Sequence, residues 1–243
     1  MKTRVLVIVP AFNESGAIGN TVRQVLASLA SLAPVEAHVL VVDDGSCDDT
    51  ALRAAGAGAM VVRLPFNLGI GGAVQTGYRY ARAHGYDIAI QVDGDGQHDP
   101  AYVGRLCLPL LEGRADMAIG SRFLAGKEGF RSSMLRRMGI RFFGFLIRLL
   151  TGFTITDPTS GFRACNRRLI EVFADHYPCD YPEPEAVVVA RRLGHVLVEV
   201  PVIMRARSSG TSSISALRSV QYMVKVSGAI LLHTLKDRKV YRS

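Results

Sequence analysis

The strongest constraint on this chain is an alternation that runs through its first hundred residues. Continuous apolar runs, VLVIVP (5–10), HVLVV (38–42), MVV (60–62) and IAIQV (88–92), are separated by segments with helical spacing. A run without polar interruptions suits a strand covered on both faces, as in a parallel sheet. Between the first two runs, Ile18, Val22, Val25, Leu26 and Leu29 recur at helical intervals and predict a helix to Leu32. CDDTALRAAGAGA (47–59) and GGAVQTGYRYARAHG (71–85) supply two more helices, the first opening on Asp48, Asp49 and Thr50. The expected fold class is therefore α/β, a doubly wound, mostly parallel sheet flanked by helices.

In such a sheet, ligands bind beyond the carboxyl ends of the strands. The polar clusters fall there: Asn13 and Glu14 after the first run, Asp43, Asp44, Gly45 and Ser46 after the second, Asp93, Gly94 and Asp95 after the fourth. Two carboxylates one residue apart, on a turn loosened by Gly94 and Gly96, can direct oxygens at one hard cation such as Mg²⁺ or Mn²⁺, with Gln97 adding a ligand. A solvated acidic turn is the alternative. The glycine-rich NLGIGGAVQTG (67–77) invites a dinucleotide reading, but that motif belongs after the first strand, where this chain has PAFNESG. Its glycines fit either a phosphate near a helix start or close packing alone.

The length of 243 residues and the 49% hydrophobic content support one substantial domain. The densest apolar stretch, MGIRFFGFLIRLLTGF, is broken by Arg141 and Arg148, so no membrane span is expected. No signal region precedes the first strand, and a cytoplasmic location is expected. Cys47, Cys107, Cys165 and Cys179 show neither disulfide-framework nor zinc-ligand spacing. A net charge of +8 suits nucleic acid, anionic lipid or a phosphorylated substrate. Nucleic acid is disfavoured because the arginines cluster with aliphatic residues and not with an aromatic stacking platform. A sugar nucleotidyltransferase would need a glycine-rich, lysine-containing signature after the first strand, which PAFNESG lacks. Beyond residue 110 come a strand and turn in ADMAIGSRF, a basic apolar segment at 131–150, TDPTSGFRACNRRLIEVF as a loop leading into a helix, the strand HVLVEVPVIMRAR, and one or two helices from Ile214.

Taken in order, VIVPAFNE, VVDDGSCDDT, NLGIGGAVQTG, VDGDGQHDP, GSRF, DPTSGFR and VPVIMRARSSGTSSI resemble family 2 glycosyltransferases of the GT-A fold. The nearest group is similar to the dolichyl-phosphate mannose and polyprenyl-phosphate glucose synthases. The resemblance covers about residues 5–214 and implies inverting transfer of a sugar from a nucleoside diphosphate. It divides the chain into a catalytic domain at 1–213, with a nucleotide-sugar half (1–110) and an acceptor half (111–213), followed by a helical basic tail at 214–243. It implies that Asp93, Asp95 and Gln97 hold the metal and that Pro10, Ala11, Asn13 and Glu14 touch the nucleoside. Asp43 and Asp44 match the acidic pair near base and ribose, while Arg122 and Arg207 match phosphate-contacting arginines, with Gly210 and Ser212 completing the second motif. Asn67, Gly71, Arg137, Asp157 and Ser160 are expected to line the substrate site, although loop scaffolding explains Asp157 equally well. Glu14 also fits a helix start. In YPEPE, Glu183 or Glu185 could serve as general base for a hydroxyl acceptor, with Glu185 taken as the candidate; a phosphate acceptor would need none. That segment departs from the mannose synthase pattern.

Arg137, Arg141 and Arg148 lie on one side of a helix, with Phe142, Phe145, Leu146, Leu149 and Leu150 over much of the rest. Such a helix can lie in a headgroup layer or be a core helix with a solvated stripe. If the acceptor is polyprenyl phosphate or another lipid-linked molecule, basic apolar helices of this kind, or a small membrane partner protein, must bring the enzyme peripherally to the bilayer's inner face.

Overall fold

The computed structural model describes residues 2–30, 32, 34–124, 134–205 and 225–228. Four parallel strands form first: β1 (Arg4–Ala11), β2 (Glu36–Asp43), β3 (Met60–Arg63) and β4 (Ile88–Gln91). Helices α1 (Ile18–Ala30), α2 (Thr50–Gly56) and α3 (Gly69–Ala83) connect them in turn. A 3-10 turn at Pro100–Tyr102 leads into α4 (Val103–Leu111), and β5 (Met117–Ser121), α5 (Met134–Thr151), β6 (Arg163–Asn166), α6 (Arg167–His176), α7 (Pro182–Arg192) and β7 (Leu197–Pro201) follow.

The strands make one sheet of order β3-β2-β1-β4-β6-β5-β7, parallel except for β6, which runs antiparallel to both neighbours. Alternation along β1 accounts for its continuous apolar character. Val5, Val7 and Val9 pack with Ile18, Val22 and Val25 of α1 and Val103 and Leu106 of α4. Leu6 and Ile8 pack with Val74 and Tyr78 of α3, Phe143 and Ile147 of α5, and Phe173 of α6. Both faces of the strand are therefore dry.

The chain moves outward from β1 to β2 to β3 and then returns to place β4 on β1's other side. The strand order thus reverses between β1 and β4, and sheets of this kind hold ligands in the crevice beyond the carboxyl ends at such a reversal.

One segment differs from the sequence expectation, and another received none. RACN, expected within a loop, is β6, paired Gln91 to Arg163 and Ile119 to Arg163. YPEPE opens α7, where Pro182 occupies the first turn, whose amides lack intrahelical partners anyway. All four cysteines are free. Among the described residues no helix is long and apolar enough to cross a membrane.

Candidate active site

The loops after β1, β2 and β4 meet at the crevice and fix one another. Asn13 has a left-handed backbone, φ 54°. It is held there because its amide donates to Ser46 Oγ at 2.9 Å and its Oδ1 accepts from the Cys47 amide at 2.9 Å. The Glu14 carbonyl accepts the amides of Ala17 and Ile18 and so starts α1, while the Glu14 amide donates to Thr50 Oγ1 at 2.9 Å. The Ala11 carbonyl accepts the Asp44 amide at 2.9 Å, tying the ends of β1 and β2 together. Pro10, the penultimate residue of β1, is buried.

Asp43 is fully buried, with Oδ1 accepting the Ser46 amide at 3.1 Å. Its Oδ2 has no hydrogen bond among the described residues and lies 3.3 Å from Nε of the largely exposed Arg63, an ion pair without hydrogen-bond geometry. A buried carboxylate oxygen left in that state calls for a donor from a ligand. Next to it, Gly45, Ser46, Arg63, Leu64 and Pro65 line an open recess of about 370 Å³. Asp44 is also buried and accepts the Leu68 amide at 2.7 Å. Burial raises its carboxyl above the usual range, with Asp43's charge adding and the amides of Leu68 and Gly69 opposing. Asn67 Oδ1 accepts the Gly69 amide at 3.0 Å and shapes the start of α3.

At the end of β4, Asp95 is buried and its Oδ1 accepts the Gln97 amide at 3.0 Å, forming a local turn. The Asp93 side chain is 33% exposed. Beside it, Gly161 leaves room for Asp93, since a Cβ there would stand 3.2 and 3.3 Å from the two Asp93 carboxylate oxygens. Among the described residues no three His, Cys, Asp or Glu side chains form a cage for an ion. Two hard carboxylates with the Gln97 amide nearby fit a divalent cation whose remaining ligands come from phosphate and water. A softer metal would need nitrogen or sulfur donors.

The acceptor-side residues are held mainly by one another. Arg122, expected to face phosphate, is a buried partner of Asp157: Nε donates to Asp157 Oδ2 and Nη2 to Asp157 Oδ1, both at 2.6 Å, and Nη2 also reaches Thr159 Oγ1 at 2.9 Å. Asp157 has 0% exposure, which fits the loop-scaffolding alternative. Ser160 is buried as well; its carbonyl accepts Nε and Nη2 of Arg163, and its Oγ has no hydrogen bond among the described residues. Gly71 packs on protein, since a Cβ there would approach the Cys179 carbonyl oxygen to 2.4 Å. Close packing is the role its surroundings give it.

Glu185, expected as a catalytic base, is buried, and its Oε1 accepts the Tyr181 amide at 3.2 Å at the start of α7. Glu183 is the acid that feels the crevice. Burial raises its carboxyl above the usual range against the pull of Arg163, and the charges of Asp93 and Glu185 push it further. Arg163, which sequence reasoning passed over, has 0% exposure, and its Nη1 donates to the Glu183 carbonyl at 3.0 Å. Arg137 is exposed on α5 and lines a groove of about 410 Å³ with Arg141, Arg148, Phe123, Phe145 and Ile155. Arg207, Gly210 and Ser212 lie outside the described residues.

This architecture recurs in a solved relative. The crystal structure of glucosyl-3-phosphoglycerate synthase from Mycobacterium tuberculosis, with Mn²⁺, uridine diphosphate and glucosyl-3-phosphoglycerate bound, superposes with a TM-score of 0.71 at 25% identity, covering 96% of this chain and 80% of that one. Fold and crevice together define a GT-A glycosyltransferase. The chain belongs to Glycosyl transferase family 2, whose model matches residues 6–173. Among its relatives, an undecaprenyl-phosphate mannosyltransferase of Micrococcus luteus is 34% identical over 221 residues, spanning 87% of this chain and 88% of the relative. A polyprenol monophosphomannose synthase of Mycolicibacterium smegmatis is 31% identical over 234 residues, spanning 92% and 85%.

Proposed function

We propose that this enzyme is a metal-dependent, inverting hexosyltransferase that moves a sugar from a nucleoside diphosphate to polyprenyl phosphate at the cytoplasmic face of the membrane. The observation that carries the proposal is the gathering of the Asp93/Asp95 turn, the buried Asp43 oxygen and the Asn13 loop at one strand-order reversal. The printed names of two relatives support polyprenyl phosphate as acceptor.

In this reading residues 1–110 take the donor, 111–213 take the acceptor, and 214–243 form the tail. Pro10, Ala11, Asn13, Glu14 and Asn67 shape the nucleoside loop, and Asp43 and Asp44 receive donors from base and ribose. Asp93, Asp95 and Gln97 hold Mg²⁺ or Mn²⁺. That ion supplies Lewis-acid stabilisation of the departing diphosphate. Arg207, Gly210 and Ser212 belong to the phosphate-binding motif by resemblance. A phosphate oxygen of the acceptor attacks the anomeric carbon from the face opposite the nucleotide; the bond to the diphosphate breaks, and the electron pair leaves with it.

The bilayer contact is assigned to α5, in preference to a small membrane partner protein. Arg137, Met138, Arg141, Phe142, Phe145, Arg148 and Leu149 are all exposed, whereas Ile140, Phe143 and Ile147 are buried. The outward face therefore carries cations and large apolar groups together, the combination that favours an anionic headgroup layer.

A second reading, transfer to a saccharide or lipid-linked glycan hydroxyl, is favoured by Glu183, whose raised carboxyl near Asp93 suits a general base. Incubation with UDP-, GDP- and dTDP-hexoses, Mn²⁺ and polyprenyl phosphate tests both. The expected result is a chelator-sensitive glycosyl phosphate of inverted anomeric configuration, formed by the parent and by Glu183→Gln at comparable turnover. Transfer only to a hydroxyl, lost in Glu183→Gln, would replace the first reading with the second.

A further inference from the structure

We infer that Arg205 is a positioning residue that locks the acidic turn of Asp93 and Asp95 to the chain leaving β7, and so sets that turn for a metal-bound diphosphate. This role rests on the proposed metal reading of the turn and falls to a residue that the motifs left without one.

Three groups of Arg205 grip the turn and its backing. Its amide donates to the Gln97 carbonyl at 2.9 Å, its Nη2 donates to Asp99 Oδ1 at 2.9 Å, and its Nη1 donates to Gln24 Oε1 of α1 at 2.6 Å. Just before it, Met204 is buried and bridged antiparallel to His98. Backbone and side chain thus hold one stretch, Gln97 to Asp99. Because the bridge is antiparallel, the chain at Arg205 runs back along the turn toward Asp95. Arg207, a phosphate-contacting arginine by resemblance, is two residues further on, a reach of at most about 7 Å.

Helix α1 supports the same turn. Thr21, Gln24 and Ser28 recur at intervals of three and four residues and therefore share one helix face. Thr21 Oγ1 donates to the Gly94 carbonyl at 3.4 Å and Ser28 Oγ to the Pro100 carbonyl at 2.6 Å, while Gln24, between them, receives Arg205. A polar stripe on α1 carries the turn from Gly94 to Pro100, and Arg205 fastens it to the strand end.

The pairing also sorts the three carboxylates of VDGDGQHDP. Asp99 is taken by Arg205 and by the Ala101 amide at 3.1 Å, so an ion pair without net charge braces the turn. On the proposed reading the cation falls to Asp93 and Asp95, and the brace adds no repulsion toward it. Stability alone gives little reason for the fork. The side chains of Arg205 and Asp99 are 45% and 20% exposed, and such pairs contribute little to folding.

The test is an Mn²⁺ titration of the full chain in an equal mixture of UDP, GDP and dTDP, read as the midpoint of the rise in melting temperature. Arg205→Gln removes the ion pair; Asp99→Asn removes it from the other side and keeps an oxygen for the Ala101 amide. Each should raise the Mn²⁺ midpoint about tenfold, as loss of an outer support of a metal site does, while the melting temperature without ligand stays within about 2 °C of the parent. The double variant should match the single ones, because both break one contact. Arg205→Lys, which keeps the charge and loses the fork, should fall between parent and Arg205→Gln. Asp99→Asn decides the matter if Arg205→Gln does not fold. Midpoints within twofold of the parent in the folded variants, whatever their melting temperatures, beside a large loss in Asp93→Asn, would overturn the positioning role alone. No change in Asp93→Asn would overturn the metal reading and this inference with it.

Discussion

The two sides of the sheet handle polar residues in opposite ways. Around β1, β2 and β4, carboxylates and amides are held mainly by backbone N–H groups of adjoining loops: Asn13 by Cys47, Asp43 by Ser46, Asp44 by Leu68, Asp95 by Gln97. These contacts orient the side chains from neighbouring loops. Around β5, β6 and β7, charged side chains bind one another or distant backbone: Arg122 with Asp157, Arg163 with the Ser160 and Glu183 carbonyls, Glu199 with the Thr156 and Asp157 amides. There the polar groups build the frame, and the outward chemistry lies on α5. On the proposed reading the first half would be a donor site formed in advance, and the second scaffold plus surface.

Breaking the scaffold should cost stability first. Asp157→Ala strands the Arg122 guanidinium, 4% exposed at its side chain, and should destabilise the fold by about 3–5 kcal/mol in urea unfolding. An Arg122→Met/Asp157→Leu double variant should recover much of that. If Asp157→Ala unfolds at the parent's urea midpoint, the frame lies elsewhere.

The next effect is on the surface. Replacing Arg137, Arg141 and Arg148 together by Gln removes about 1 kcal/mol each of attraction to anionic lipid, or roughly a hundredfold in vesicle binding. Nucleotide-induced thermal shifts should remain at the parent value. Equal vesicle binding by parent and triple variant would remove α5 from the membrane account.

The smallest effect has the opposite sign. Because burial holds the Glu183 carboxyl above its unfolded value near 4.5, its contribution to stability is fully present below that value and is lost as pH rises through the raised one. Glu183→Gln should therefore melt roughly 2 °C higher than the parent at pH 7 and no higher at pH 4. A lower melting temperature at pH 7 would mean that the ionised Glu183 supports the fold, as the scaffold acids do.

The same contrast explains what could be read from the sequence. The parallel sheet and the polar clusters at its strand ends were legible because their signals are local: an apolar run, then a polar cluster whose partners are a few residues away or at the end of the neighbouring strand. Arg122 and Asp157 were placed in the right motifs, but their mutual pairing spans 35 positions and leaves no spacing to count. β6 is four residues long and has Arg163 as its first, so neither length nor pattern marked it as a buried strand. YPEPE opens α7, and its prolines fit there because a first helical turn accommodates them. Glu183 and Glu185 were both visible, yet only packing separates the acid near the crevice from the one that accepts the Tyr181 amide.

The central claim, that Asp93 and Asp95 complete a cation site together with a donor's diphosphate, is tested most directly by locating manganese. Crystals grown with Mn²⁺ and the nucleoside diphosphate giving the largest thermal shift should show one anomalous peak at the manganese edge, bonded to oxygens of that acidic turn and to both phosphates. A peak away from the turn, or nucleotide in the crevice with both aspartates directed elsewhere, would contradict the account.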